Sequence, residues 1–383
     1  MVSAFRRGQS LRKVALRFGV APGTVNYWVQ RAAGRRLDRL DWKDRSRAPK
    51  HTQRTPAALE RKILAIRCRL KDRSALGEHG AVAIHQELKT QMVTPCPAVR
   101  TIGRILQRHG VLDGRKRVRR PPPLRGWYLP EVAAAKVELD SFDTIEGLAI
   151  RGGPHLTVLT GISLHGRLPV VWPQRSLSSR LIVELLLEHW RSIGLPGYAQ
   201  FDNDNRFCGP KQHADVVGRV SRLCLNLRVT PVFAPPNETG FQAAIENLNG
   251  RWQVGVWSRF EHRVLRGLRS RSDKYITAAR QKLAAHIEAA PQRQAFPKRW
   301  RLNLQQHPQG TLIYIRRTND RGQASLLGHQ FHVDRHWLHR LVRAEVDLTA
   351  GYIRFYALRR REPTEQPLLS TKQYQLPKRP FSE

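Results

Sequence analysis

The sequence predicts a multidomain α+β protein in which N-terminal helical modules precede a mixed α/β core and a small C-terminal β-barrel. Three observations support this order. Apolar residues recur at helical spacing before residue 112, strand-like segments begin after residue 127, and short alternating segments with turn signals follow residue 305. A chain of 383 residues has room for two to four domains.

The charge of the chain predicts a polyanionic partner. The 67 lysines and arginines outnumber 30 acidic residues, which gives a formal charge of +37. Such a balance favours binding to a nucleic-acid backbone, although it does not separate an enzyme from a structural binder. The N terminus has no apolar signal region and no window reaches eighteen apolar residues, so we expect a soluble, cytoplasmic protein without a membrane partner.

Residues 1–40 predict a helix-turn-helix domain. Ser10 is a plausible N-cap, Gly19 allows a sharp turn, and Val25, Trp28 and Val29 would form the inner face of the second helix. The outer face would present residues able to reach phosphates and base edges, namely Thr24, Asn26, Tyr27, Gln30 and Arg31. An ordinary helical hairpin is the alternative.

The sequence predicts a second helical DNA-binding domain at residues 56–112. A basic, proline-rich linker is expected at residues 115–126. The segment from Val99 to Arg108 places aliphatic side chains inward and Arg100, Arg104 and Arg108 outward. The linker offers further basic groups that could follow a phosphate backbone: Arg115, Lys116, Arg117, Arg119 and Arg120.

Residues 127–270 predict the mixed α/β core. Strands are expected at Val137–Asp140, 155–163 and 168–172, followed by a helix at 178–193. A strand ending at Asp202, another helix, a strand at 228–234 and a helix containing Glu246 complete the pattern. Residues 305–362 contain about five short alternating strands, which suits an SH3-like barrel.

Carboxylates are scarce in this basic chain, and three acidic clusters coincide with the ends of predicted elements. Asp140 and Asp202 follow apolar strands, and Glu246 lies near the start of a helix. Three such carboxylates could hold two Mg²⁺ ions, which prefer oxygen ligands, and two ions can support in-line displacement at a phosphodiester. Asp143 and Asp204, close to these residues, are expected to be loop or capping groups.

The ordered set resembles the DDE transposases of bacterial insertion sequences, relatives of retroviral integrases with a ribonuclease-H-like catalytic core. The matching stretches are Val137–Asp140, Phe201–Phe207, Pro236–Gly240 and Glu246–Asn249. The similarity extends over nearly the whole chain, because that family also carries N-terminal helix-turn-helix modules and often a small C-terminal barrel. It implies that Asp140, Asp202 and Glu246 are the catalytic and metal-binding residues, with two Mg²⁺ (or Mn²⁺) ions.

Two features depart from the family pattern. The usual Asp-Asn-Gly is Asp202-Asn203-Asp204 here, and 43 residues lie between Asp202 and Glu246. Glu238, with 35 residues between it and Asp202, has the spacing usual in much of the family. We prefer Glu246 because it lies in a regular helix, whereas Glu238 lies among turn residues.

The resemblance implies a transposase that cleaves DNA at the ends of a mobile element and joins the strands to target DNA. It also implies double-stranded DNA as partner, a homo-multimer on that DNA, a bacterial, nucleoid-associated location and no small-molecule cofactor. The alternatives are a sequence-specific DNA-binding regulator or an inactive transposase descendant, and, with less support, a nonspecific ribonuclease of the same fold.

Overall fold

The computed structural model describes residues 1–44, 55–112, 125–210, 212–238 and 240–378. The chain separates into two compact units, Met1–Ala57 and Ala58–Glu383. The basic groups at positions 115–120, which the sequence predicts to contact DNA, lie outside the described residues.

The first unit contains three helices and a short 3₁₀ turn. They are α1 (Val2–Arg6), α2 (Leu11–Phe18), α3 (Pro22–Arg31) and the turn Leu37–Arg39. Ser10 caps α2 by accepting a hydrogen bond from the Lys13 amide, and Gly19 ends it in the left-handed conformation. Val14, Ala15 and Val25 are buried between α2 and α3, so the predicted helix pair and its turn are present.

The second unit begins with three helices that share a core of their own. They are α4 (Ala57–Arg73), α5 (Ala81–Thr90) and α6 (Val99–Arg108). Their buried aliphatic residues include Ile63, Ile84 and Ile102. The loop after α4 contacts the rest of the unit, because Arg259 donates to the Ser74 carbonyl and Lys282 pairs with Glu78.

A nine-stranded mixed sheet forms the centre of the second unit. Its first five strands are β1 (Leu139–Ala149), β2 (His155–Ser163), β3 (Pro169–Gln174), β4 (Tyr198–Phe201) and β5 (Thr230–Phe233). The later strands are β6 (Thr311–Arg317), β9 (Leu341–Asp347), β10 (Tyr352–Ala357) and β11 (Leu368–Gln373). Strands β7 (Gln323–Leu326) and β8 (His329–His332) form a separate hairpin.

The order across the sheet is β11-β10-β9-β6-β5-β4-β1-β2-β3. Strands β1, β2 and β3 form an antiparallel meander, whereas β4 pairs parallel to β1, β5 parallel to β4 and β6 parallel to β5. The predicted mixed α/β sheet with intervening helices is therefore confirmed, although β1 extends well beyond the predicted Val137–Asp140.

Helices cover both faces of the sheet. The remaining helices are α7 (Pro130–Ala133), α8 (Ser179–Ile193), α9 (Asn205–Cys208), α10 (Arg219–Asn226), α11 (Ala243–Trp252), α12 (Leu265–Lys282) and α13 (Ala284–Glu288), with a π-helical turn at Gln253–Trp257. Phe142 and Phe201 pack with α8 and α10 on one face, whereas Ile145 and Val158 pack with α11 and α12 on the other. The two faces of β1 thus meet different helices.

The predicted separate C-terminal barrel is not confirmed. Strands β6, β9, β10 and β11 extend the core sheet, because Val232 and Phe233 of β5 pair with Ile313 and Tyr314 of β6. Short alternating strands do not distinguish a closed barrel from strands added to an existing sheet edge.

None of the helices in the described ranges is long and apolar enough to cross a lipid bilayer.

Candidate functional site

The parallel pairing of β1 with β4 places two acidic residues, Asp143 and Asp202, side by side. Leu139, Asp140 and Ser141 pair with Tyr198, Ala199 and Gln200. The same offset places Asp143 level with Asp202, one residue beyond the end of β4. The Phe142 and Phe201 rings, one step earlier in this register, stack at 5.7 Å. The site therefore lies at the carboxyl end of a parallel strand, where α/β sheets commonly bind ligands.

Helix α11 places Glu246 and Asn249 near Asp143 and Asp202. Ile245, Leu248 and Trp252 form its buried stripe against the sheet. Asn249 Nδ2 donates a hydrogen bond of 2.8 Å to Asp143 Oδ2. Glu246, one turn earlier on the helix, is exposed. The packing of α11 thus holds an amide on Asp143 and leaves the Glu246 carboxylate accessible.

Charge and burial act together on Asp143. The pKa of this carboxyl is raised to about 6, mainly by burial and also by the negative charges of Asp202 and Glu246, while hydrogen bonds from the Thr144 amide and Asn249 oppose the shift. Asp143 is thus electrostatically coupled to both other acids. A carboxyl whose pKa is raised by burial and by neighbouring acids is typical of a functional site.

The loop after β4 is fixed by its asparagine. Asn203 Nδ2 donates to the Ala234 carbonyl at 2.6 Å, and Arg316 donates to Asn203 Oδ1 at 2.8 Å. These contacts join the ends of β4 and β5 to β6 and hold Asp202 beside the strand. Asp202 Oδ1 in turn accepts a hydrogen bond of 3.0 Å from the Asp204 amide.

Asp204, the acid in place of the usual glycine, is a capping residue, as expected. Its carboxylate caps α9 by accepting from the Arg206 amide, and it also pairs with the Arg206 guanidinium at 2.6 Å. Arg206 reaches Glu146 on β1 at 2.6 Å as well. One arginine therefore offsets two carboxylates next to the site.

Asp140, predicted from the sequence as the first catalytic acid, lies on the opposite face of β1. It is 2% exposed. Its carboxylate accepts hydrogen bonds from Trp190 Nε1 at 3.1 Å and Arg293 Nη1 at 3.0 Å. β1 begins at Leu139 and continues for eleven residues, so Asp140 is not at the end of a strand. The structure does not bring Asp140 to Asp202 and Glu246; Asp143 takes that position instead.

Glu238, the alternative third acid, is held elsewhere. Its carboxylate pairs with the guanidinium of Arg317 and, at 3.3 Å, with that of Arg360. Its charge is not among the influences on Asp143, whereas that of Glu246 is. Of the two glutamates, Glu246 is therefore the one that lies close enough to influence Asp143.

The donor chemistry of Asp143, Asp202 and Glu246 fits a hard divalent cation, which would also relieve the repulsion that Asp143 experiences. In the part of the chain that the structure describes, however, no three His, Cys, Asp or Glu side chains form a ready-made metal-binding group. Glu246 is exposed, so its side chain is free to reorient toward the two aspartates.

The residues predicted to read DNA from the first unit divide into two groups. Thr24, Asn26, Tyr27 and Gln30 are exposed on α3, as expected for a contact surface. Arg31 instead packs over the Trp28 ring at 4.9 Å, and its side chain is only 9% exposed. Arg31 is therefore largely engaged within the unit.

In the second helical module, Arg100 and Arg104 are exposed on α6. Arg108 is exposed too, but it pairs with the buried Glu60 at 2.6 Å, and His109 contacts the same carboxylate at 3.0 Å. Arg108 thus fastens α6 to α4. Arg100 and Arg104 are the better candidates for a phosphate contact.

The sequence interpretation missed the position of Asp143 beside α11 and the pairing of Arg293 with Asp140. Strand alternation was the available signal, because Asp140 and Asp143, three positions apart, must face opposite sides of β1. Choosing between them required knowing which face α11 covers. The Arg293 partner lies 153 positions away, and no local pattern indicates it.

Comparison with known proteins gave only weak structural similarities. No family model matches the chain, and no curated protein matches it. One similar solved structure is the simian T-cell lymphotropic virus intasome in complex with PP2A regulatory subunit B56 gamma, at 12% identity and a TM-score of 0.33. That match covers 72% of this chain and 88% of the other.

Two isolated catalytic cores are also similar. The catalytic core domain of BIV integrase has 12% identity and a TM-score of 0.29, covering 38% of this chain and 84% of that one. The HTLV-2 integrase catalytic core domain, in complex with magnesium and dimeric, has 10% identity and a TM-score of 0.27, covering 43% and 90%. The solved structures similar to this chain thus include retroviral integrases, at a similarity too low to assign a family.

Proposed function

We propose that this chain is a DNA transposase or integrase-type recombinase whose metal-binding acids are Asp143, Asp202 and Glu246. The observation that carries the proposal is the coupling of three acids from β1, the end of β4 and α11, in a chain of formal charge +37. A basic protein attracts DNA, and an isolated acidic centre is where a divalent cation can meet a phosphodiester.

In this proposal, three acids bind the metal ions and neighbouring side chains hold the acids in position. Asp143 and Asp202, held on adjacent strands, would bind Mg²⁺ or Mn²⁺ from one side, and Glu246 would complete the set from α11. Two bound ions would activate the attacking oxygen and stabilise the leaving oxygen of the phosphodiester. Asn249 would keep Asp143 oriented, and Asn203 with Arg316 would keep Asp202 in place.

The partners follow from the same proposal. Exposed polar residues of α3, with Arg100 and Arg104 of α6, would bind double-stranded DNA at the ends of a mobile element. Acting on two ends and a target would require a multimer of the chain on DNA.

The experiment is a cleavage and joining assay in Mg²⁺ or Mn²⁺ on a plasmid carrying the gene with its flanking DNA. We expect Asp143→Asn, Asp202→Asn and Glu246→Gln each to abolish cleavage and joining while DNA binding persists. Glu238→Gln is the matched control and should remain active. Activity retained by Asp143→Asn and Asp202→Asn would refute the assignment.

A second candidate is a DNA-binding regulator or an inactive descendant. It is favoured by the lack of a ready-made metal group among the described residues. This candidate predicts sequence-specific DNA binding, unchanged by Asp202→Asn, and no cleavage by the wild type under any metal condition. The same assay separates the two.

A further inference from the structure

A pocket lies beside the three acids on the α11 face of the sheet. It has a volume of about 390 Å³, and its lining includes Ser141, Gln200 and Asn247. We propose that it holds an unpaired nucleotide of the bound DNA strand. This inference rests on the proposed function, because it places the nucleotide next to the acids assigned to phosphodiester chemistry. We call this cavity the arginine pocket, because Arg125, Arg167 and Arg251 line it.

The floor of the arginine pocket lies directly before the acidic pair. Ser141 pairs with Gln200 across β1 and β4, and each lies two residues before an acid, Asp143 or Asp202. Two residues of strand span about 7 Å and return to the same face of the sheet. A nucleotide in the pocket could therefore be continuous with a phosphodiester at the acids.

The floor has unused hydrogen-bonding capacity. Ser141 is 3% and Gln200 is 1% exposed. Among the described residues, Ser141 Oγ and Gln242 Nε2 have no hydrogen-bond partner. Gln200 interacts with the Tyr128 phenol, whose hydroxyl donates to the Phe241 carbonyl at 3.3 Å. Buried polar atoms without partners are rare, and here two of them, Ser141 Oγ and Gln242 Nε2, belong to residues lining one pocket.

The remaining lining is mainly apolar and aromatic. Trp127, Tyr128 and Phe241 contribute rings, and Leu164 and Leu248 contribute aliphatic surface. A nucleobase has apolar faces and a polar edge, so it matches an aromatic pocket whose floor offers amide and hydroxyl groups. A purely aliphatic ligand would leave those floor groups unsatisfied.

Three guanidinium groups supply the charge. In the described ranges, Arg125, Arg167 and Arg251 form no ion pair with a carboxylate. Burial lowers the pKa of Arg167, and the neighbouring charges of Arg125 and Arg251 lower it as well. Arginines gathered without acids match a phosphate, which their planar donors can bind in pairs. The combination of base-like and phosphate-like surfaces indicates a nucleotide.

The test measures the affinity of the full chain for two short duplexes that differ only in whether one end is unpaired, with a chelator present to prevent chemistry. The wild type should prefer the unpaired end by about tenfold, because an unpaired base can stack on the aromatic rings of the pocket. Arg251→Gln, an exposed change, and Ala244→Trp, which fills the pocket from α11, should remove the preference. Arg180→Gln, on α8 and the other face of the sheet, is the charge-matched control and should keep it.

Equal affinity of the wild type for both duplexes would overturn the inference, and so would a preference retained by both Arg251→Gln and Ala244→Trp. A third contrary result would be a free nucleoside monophosphate that competes as strongly as the duplex with an unpaired end. The last would indicate a free nucleotide as the ligand. Asp202→Asn should keep the preference. A wild type that shows this preference but has no cleavage activity in Mg²⁺ or Mn²⁺ would leave this pocket assigned while refuting the proposed enzyme.

Discussion

Asp140 and Asp143 lie three residues apart on β1 and serve opposite faces of the sheet. Asp140 joins Arg293 and Trp190 beneath α8, whereas Asp143 meets Asn249 of α11. One aspartate thus belongs to a buried ion pair and the other to an acidic cluster. This division predicts different consequences for the same chemical change at the two positions.

Neutralising Asp143 should stabilise the metal-free protein at neutral pH. Its folded pKa is about 6, above the ordinary 3.8, so the folded state binds more protons between these values and loses stability as pH rises through them. Asp143→Asn removes this loss. We expect a gain of roughly 1–3 kcal/mol in the free energy of unfolding at pH 7.5.

Urea unfolding in a chelator checks this prediction. The gain should disappear below about pH 4, where the wild-type carboxyl is neutral in both states. Asp215→Asn, another partly buried acid, serves as a comparison, since it pairs with His329 and should not show a gain. A wild type more stable than Asp143→Asn at pH 7.5 would contradict the assigned shift.

Breaking the Asp140–Arg293 pair should destabilise the fold. Asp140→Leu leaves the buried guanidinium without its carboxylate, which costs about 3–5 kcal/mol. The double variant Asp140→Leu, Arg293→Met removes both charges and should recover much of that stability. Thermal unfolding of the single and double variants measures the effect. Full stability of Asp140→Leu would be inconsistent with a structural role for the pair.

Asn249→Ala should weaken metal binding through Asp143. The Asn249 hydrogen bond lowers the pKa of Asp143, so its loss raises that pKa above about 6. Because a ligand must be deprotonated, the midpoint of Mn²⁺ binding against pH should move upward. Mn²⁺ titrations at several pH values provide the measurement. Asn226→Ala, on α10, is the control, and an unchanged midpoint in Asn249→Ala would argue against the positioning role.

In the first unit, we expect substitution of Arg31 to lower the stability of α3 and substitution of Asn26 to weaken DNA binding. Arg31→Ala loses the Trp28 contact, which contributes about 0.5–1 kcal/mol, and should speed hydrogen exchange in α3. Asn26→Ala changes an exposed side chain and should leave exchange unaltered while weakening specific DNA binding. Hydrogen exchange and DNA titration together test both variants. Faster exchange in Asn26→Ala alone would reverse the assignment.

Local patterns predicted most of the core fold. Apolar runs located β2, β4 and β5, and the buried stripe of α11 was visible as a helix containing Glu246. Long-range pairing was not predictable in the same way, since β6 joins β5 after 77 intervening residues and the alternation of β6 is equally compatible with a separate barrel. The candidate site was likewise only partly predictable from local sequence patterns. Local motifs suggested Asp202 and Glu246 as candidates, whereas the choice between Asp140 and Asp143 depended on which face of β1 is covered by α11.

The most direct measurement of the central claim is Mn²⁺ binding, followed by electron paramagnetic resonance of the free ion. Asp143→Asn, Asp202→Asn and Glu246→Gln should each lower the affinity by about tenfold or more, because each removes a charged oxygen ligand. Glu146→Gln and Glu238→Gln, whose carboxylates pair with arginines, should bind Mn²⁺ like the wild type. Wild-type affinity in the first three variants would contradict a shared metal site.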